Sequence, residues 1–253
     1  MTHTGTVGLP VQSTALGRED KSSTAPGRSY LGVGLYSLPE AARLARMPVS
    51  TLRRWAGEYR SPTNGRPSAP MPLVRREDPD LIAQGLLTFS ELIALLLIRR
   101  LRQAGVPLTA IRALAQQAAV ALRTSHPFAT RLFYSDPPPL HASKNDAERA
   151  FPGSAAQLAL ESFAGQLDYG EDGMVRAYWP LGRGRRVVLD PARAFGQPID
   201  PVSGVPARAL AGMSAAGETI EEIARWYRVA PEAVQDAILF EQSLTAARLS
   251  RAA

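Results

Sequence analysis

The sequence contains no cysteine. Disulfides and thiolate metal sites are therefore excluded, and small disulfide-stapled scaffolds with them. Histidine is scarce. His3, His126 and His141 are the only ones, and none stands at metal-ligand spacing from another. Lysine is scarcer still: Lys21 and Lys144 are the only two, so the formal charge of +6 is carried by arginine. Aromatic residues make up 7% of the chain, which fits several modest cores better than one large one. The longest apolar run, Leu92 to Ile98, is far shorter than the roughly 20 residues a membrane-spanning helix needs. The N-terminus has no charged start followed by an apolar stretch, so no signal peptide is expected. A soluble, cytoplasmic protein is the expectation.

What is present is arginine, unevenly placed. Between Tyr36 and Arg76 arginine far outnumbers acid; between Val205 and Ser243 acid outnumbers arginine. A basic front and an acidic back imply different partners for the two ends. Arginine suits phosphate and guanine because its planar fork engages two acceptors at once. An arginine bias also follows from a GC-rich genome.

The pattern along the chain predicts a mainly α protein. Residues 1–34 are rich in Thr, Ser, Gly and Pro with no apolar period, and read as a disordered tail. Ser37 and Glu40 stand at capping-box spacing before a short helix that ends near Ala45. Met47-Pro48 forms a turn, and Ser50 is a candidate cap for the next helix. There Leu52, Trp55, Ala56 and Tyr59 fall on one face, so Ser50, Thr51, Arg53 and Arg54 point elsewhere. Gly57 is expected to weaken or end that helix. The segment Arg60 to Asp80 holds Asn64-Gly65, a turn signal, among prolines; a β-hairpin wing or an irregular basic loop both fit. Thr88 and Glu91 open a third helix that runs to about Gln103 and stops at Gly105. A fourth follows from Val106-Pro107 to near Arg123.

Past His126 the reading is less regular. A helix over Ala155–Phe163 and short strands at Met174–Trp179 and Arg186–Leu189 are expected, around the turn Gly182-Arg183-Gly184. That turn lacks the third glycine of a dinucleotide loop. Its arginines read equally as a phosphate contact or a solvated turn. The last unit carries a further capping-box spacing, Thr219 to Glu222. Its apolar stripe is Ile220, Ile223, Ala224 and Tyr227, and a helix after Pro231 carries Val234 and Ile238. This is a second helix-turn-helix shape, but the second helix bears Glu232, Gln235, Asp236 and Glu241. Phosphate would repel it, so protein contact is expected, through Ile220, Ile223, Tyr227, Val234 and Ile238. A plain structural cap is the other reading.

The first helix pair points to duplex DNA. The major groove admits a helix whose exposed side chains reach base edges, and phosphates favour a basic surround. The expected contacts are Ser50, Thr51, Arg53 and Arg54, flanked by Arg43, Arg60, Arg66, Arg75 and Arg76. No catalytic constellation is discernible, and no cofactor or metal is expected.

Two resemblances sharpen this. Tyr36-Ser37, Ala41 to Ala45, Val49 to Trp55, Phe89 to Leu92, Leu101 to Leu108 and Ile111-Arg112 resemble the MerR-type winged-helix domain. The match runs over 36 to about 122, with proline-rich sequence where the usual wing motif would stand. Val188 to Pro191, Phe195 to Ile199, Gly217 to Ala224 and Val234 to Ile238 resemble a small domain family of unknown function found in bacterial antitoxins. Asp200 to Pro206 departs from its usual pattern. Together the two look like VapB-type antitoxins. That resemblance implies a dimeric repressor that neutralises a PIN-like ribonuclease toxin and represses its own operon. The rival expectation is a MerR-like regulator with a ligand pocket in 126–180 and no toxin. The expected units are a tail at 1–34, a DNA-binding domain at 35–124 and a connecting region with short strands at 125–186. A C-terminal helical domain at 187–244 and a tail at 245–253 complete them.

Overall fold

A computed structural model describes residues 30–57, 72–135 and 153–249, together with Met1. The element order is helical at both ends with short strands between them. The front begins with β1 (Leu35–Ser37), α1 (Leu38–Leu44) and α2 (Val49–Trp55). Then come α3 (Pro79–Ala83), β2 (Leu86–Thr88), α4 (Phe89–Gln103) and α5 (Leu108–Ala121). β1 and β2 pair antiparallel, with Tyr36 opposite Leu87.

Helix α4 is the centre of the fold. From Leu92 to Ile98 every residue is buried, so the run reads as a helix covered on all sides. Thr88 and Glu91 close a reciprocal capping box at its start, and Gly105, at φ +90°, ends the chain reversal after it.

The connecting region holds a 3₁₀ turn (Pro127–Ala129), α6 (Arg131–Ser135) and α7 (Gly153–Ala164). A four-stranded antiparallel sheet follows in the order β3 (Leu167–Tyr169), β4 (Val175–Tyr178), β5 (Val188–Leu189) and β6 (Pro198–Ile199). Phe128 and Phe133 meet edge to face at 4.9 Å between ring centroids, and Phe133 meets Tyr134 in the same way at 5.1 Å. Tyr134 in turn contacts Phe163 and Tyr169. Among the described residues of the region expected to enclose a ligand, these rings pack on one another, and a cavity of about 250 Å³ lies at its start, lined by His126, Phe128, Leu73 and Arg112.

The C-terminal unit contains three helices: α8 (Ala207–Ala215), α9 (Ile220–Tyr227) and α10 (Pro231–Leu249). α8, not expected from the sequence pattern, starts after Pro206 and packs on α10 through Ala207 and Leu210, both buried. Its alanine and glycine content hides the apolar period. The tail expected from 245 instead continues α10 to Leu249.

One buried core joins all three parts, from Tyr36 through α4 and Phe163 to Phe240 and Leu244. The expected tail also ends earlier than 34. Tyr30 donates to Asp78 at 3.1 Å, and Gly34 lies against Pro191 and Phe89.

Candidate nucleic-acid interface

Ser37 accepts a hydrogen bond from the Glu40 amide at 3.3 Å and caps α1. The chain then reverses through Arg46, whose φ of 50° is left-handed, and the Met47 amide closes on the Ala42 carbonyl at 2.9 Å. α2 starts at Val49 with Pro48 as its cap residue, so Ser50 is not the cap. Proline presets the backbone there, and Ser50 lies one position inside the helix.

α2 has two unlike faces. Leu52, Trp55 and Ala56 are buried in the core, whereas Ser50, Arg53 and Arg54 are exposed and Thr51 is half-buried. The cause is the 3.6-residue period: positions i, i+3 and i+4 face inward and the arginines between them cannot. The helix ends at Trp55, and Gly57 takes a left-handed φ of +79°. The Trp55 carbonyl then accepts the Leu73 amide at 2.9 Å, which ties the returning chain to the end of α2.

The flanking arginines divide. Arg75 is exposed, with Glu77 3.7 Å away. Arg76 is not a surface residue. Its side chain is 4% exposed, it donates to the Leu86 carbonyl, and Glu91 lies 3.9 Å away. A duplex cannot reach it. The Glu91 carboxyl is held above its ordinary range, chiefly by burial, with the Thr88 amide and Arg76 opposing. Arg43 is also engaged: it donates to Glu241 of α10 at 2.7 Å. Arg60, Arg66, Tyr59 and most of the expected wing lie outside the described residues. The described remainder, 72–78, contains no strand.

The acidic back is likewise turned partly inward. Asp236 is 4% exposed; it accepts from Arg185 at 2.9 Å and from the Arg186 amide at 2.8 Å. Arg186 pairs with buried Asp200 at 2.9 Å, and Arg183 with Asp168 at 3.0 Å. The basic turn at 183–186 is therefore neutralised by the chain's own carboxylates. Ile223 and Val234, expected at a partner surface, are fully buried, and Ile220, Tyr227 and Ile238 pack partly buried against the same core. Their stripe faces the protein's own interior because α8 covers it. Among the described side chains of α9 and α10, the large apolar ones left outside are Trp226 and Leu239, 54% and 44% exposed.

The fold thus defines a helix-turn-helix domain at the front and a small helical domain at the back. Residues 34–114 match a family described as "Putative DNA-binding HTH domain", and residues 187–240 match one described as "Protein of unknown function (DUF433)". Over 227 residues the chain is 28% identical to a Mycobacterium tuberculosis protein named "Putative antitoxin VapB45", covering 81% of this chain and 93% of the relative. The crystal structure of Rv2018 from Mycobacterium tuberculosis superposes with a TM-score of 0.61 at 25% identity, covering 82% of this chain and 98% of that one.

Among the described residues, no group of three or more His, Asp or Glu side chains is placed to hold a metal ion, and no helix is long and apolar enough to cross a membrane.

Proposed function

We propose that this protein is a DNA-binding antitoxin. The observation that carries the reading is the two-faced helix α2, which buries Leu52 and Trp55 and leaves Arg53 and Arg54 outside. Such a helix enters the major groove with its guanidinium groups toward base edges and phosphates. Ser50 and Thr51 lie on the same helix, and Arg75 is exposed on the stretch of chain tied to its end through Leu73, while Arg43 and Arg76 serve the fold. The match of the front to an HTH family and the near full-length likeness to a protein named as an antitoxin support the reading.

The partner in this reading is a toxin of the PIN-like ribonuclease class, and the operator lies upstream of the shared operon. The C-terminal unit would meet that partner, or a second copy, through Trp226 and Leu239. Gln235 and Gln242, one helical turn either side of Leu239, are exposed and form the polar rim such a contact needs. A two-fold dimer presents its α2 helices to half-sites about 34 Å apart or a multiple of it.

Anisotropy titration of the upstream duplex tests the operator claim. Arg53→Ala with Arg54→Ala should weaken binding at least tenfold and lower the salt slope by about 1 for each phosphate no longer neutralised. Unchanged affinity in that variant sinks the assignment. Co-purification with the neighbouring gene product tests the toxin claim, and Trp226→Ala with Leu239→Ala should reduce recovery.

A further inference from the structure

Three arginines line one cleft where the parts of the fold meet. Arg46 comes from the turn between α1 and α2, and Arg99 and Arg100 from the C-terminal half of α4. They line it with Tyr178 of β4, Leu189 of β5 and Phe240 of α10. The cleft encloses about 60 Å³, room for a few waters or one tetrahedral oxyanion. Among the described residues, no carboxylate lines it.

Arg46 and Arg100 have neutral partners. Arg46 donates to the Ser243 hydroxyl at 2.6 Å. Arg100 donates to the Gln166 side-chain carbonyl and lies 4.9 Å over the Phe163 ring. Four other arginines are answered with carboxylates, Arg43 with Glu241, Arg76 with Glu91, Arg185 with Asp236 and Arg186 with Asp200, whereas Arg193 donates to the Pro201 carbonyl. The acids nearest in sequence on α10, Asp236 and Glu241, are already engaged by Arg185 and Arg43. Tyr178 registers the same convergence from the other side. Burial raises its hydroxyl above the ordinary range, and the charges of Arg100, Arg46 and Arg99 oppose that. Like charges gathered against apolar walls repel, and a doubly charged anion relieves the repulsion with charge-assisted hydrogen bonds.

We propose that this cleft binds a phosphate-class oxyanion, held by Arg46 and Arg100, with Arg99 in the lining beside them. The anion is either free in solution or the terminal phosphate of a small metabolite. It bridges the turn of the helix-turn-helix, α4 and the sheet, against the side of α10. Its occupancy therefore fastens the C-terminal helix to the DNA-facing unit.

Calorimetric titration of the full chain with inorganic phosphate, at constant ionic strength set with chloride, tests the proposal. One site per chain is expected, together with a rise in thermal midpoint of about 5 °C at a hundredfold excess over Kd. Arg46→Gln with Arg100→Gln should weaken phosphate binding at least tenfold. Arg53→Ala with Arg54→Ala should leave it unchanged. Absence of a saturable heat in the wild type overturns the site. So does loss of the heat in the Arg53/Arg54 variant, which would place the anion on the DNA face. Wild-type affinity in the Arg46/Arg100 variant overturns it as well. Far-UV circular dichroism checks that this variant is folded; should it not be, Arg46→Lys is read in its place, with a smaller loss expected. Replacing phosphate by a nucleoside monophosphate separates the two sources: tighter binding identifies a metabolite, equal binding the free ion. A shift of operator affinity with phosphate is a further expectation that rests on the operator reading. The titration itself uses no DNA, so the two fail separately.

Discussion

The Tyr36 hydroxyl donates a 2.7 Å hydrogen bond to the carbonyl of Gly196, 160 residues away. This contact seats β1, the entrance to the helix-turn-helix, on the opening loop of the C-terminal unit. Both groups are buried, and Tyr36 is fully so. Burial raises the Tyr36 hydroxyl well above its ordinary range, so it stays protonated and remains a donor. Gly196 has a φ of +82°, and a Cβ there would run into the Tyr36 hydroxyl. Tyr36→Phe should therefore cost about 1–2 kcal/mol by stranding a buried carbonyl. Gly196→Ala should cost about 1–3 kcal/mol through overlap and backbone strain. Urea denaturation midpoints measure both. If Gly196→Ala is as stable as the wild type, the two units are not seated in this way.

Arg43 and Glu241 form an ion pair whose side chains are 33% and 18% exposed. Such a pair contributes roughly 0.2–1 kcal/mol, reduced by salt. A double-mutant cycle of Arg43→Ala and Glu241→Ala should return a coupling energy in that range at low salt. Arg43→Ala should also lower operator affinity less than Arg53→Ala, because α10 already holds its guanidinium. Equal losses would return Arg43 to the DNA-contacting set.

Asp236 should matter for stability rather than for partner binding. It is buried on α10 and serves both Arg185 and the Arg186 amide. Asp236→Ala should cost about 2–3 kcal/mol, since it removes a charge-assisted bond and leaves an amide unsatisfied. Glu232→Ala, on the exposed face of the same helix, should be near neutral. Thermal unfolding of the two variants decides it: equal midpoints would contradict the buried role.

His126 predicts a pH dependence. Burial holds its imidazole below the ordinary histidine range, and nearby Glu77 opposes that shift. The unfolded chain therefore takes up a proton at a pH where the folded side chain refuses it. The stabilisation is whole above about pH 6.5 and is lost as pH falls from there through the folded value. Thermal midpoints between pH 7.5 and 5 should fall more steeply in the wild type than in His126→Asn. Parallel curves would remove His126 as the cause.

Several elements are legible from local chemistry. Thr88 with Glu91 and Thr219 with Glu222 form the capping boxes that their spacing announces. The stripe of Leu52 and Trp55 correctly foretells a buried face on α2. α8 is not legible, because small residues carry little periodic signal. The strands β3 and β6 escape a sequence reading because two or three residues are too few to show alternation. The Arg46, Arg99 and Arg100 cleft leaves no trace in sequence, since its lining comes from the α1–α2 turn, α4, β4, β5 and α10.

Local chemistry along the chain dictates which of these segments are helical, where they are capped, and that one short front helix has an apolar and a basic side. These properties depend on neighbours within a turn or two. Which charges remain available is a property of the folded molecule. Arg43, Arg76, Arg185 and Arg186 read as surface cations until the carboxylates that folding brings alongside meet them. Asp236, Ile223 and Val234 read as a partner-facing set until the C-terminal helices turn them inward. A charged side chain is free or engaged according to what folding places opposite it, and spacing along the chain carries no record of partners nearly two hundred residues away.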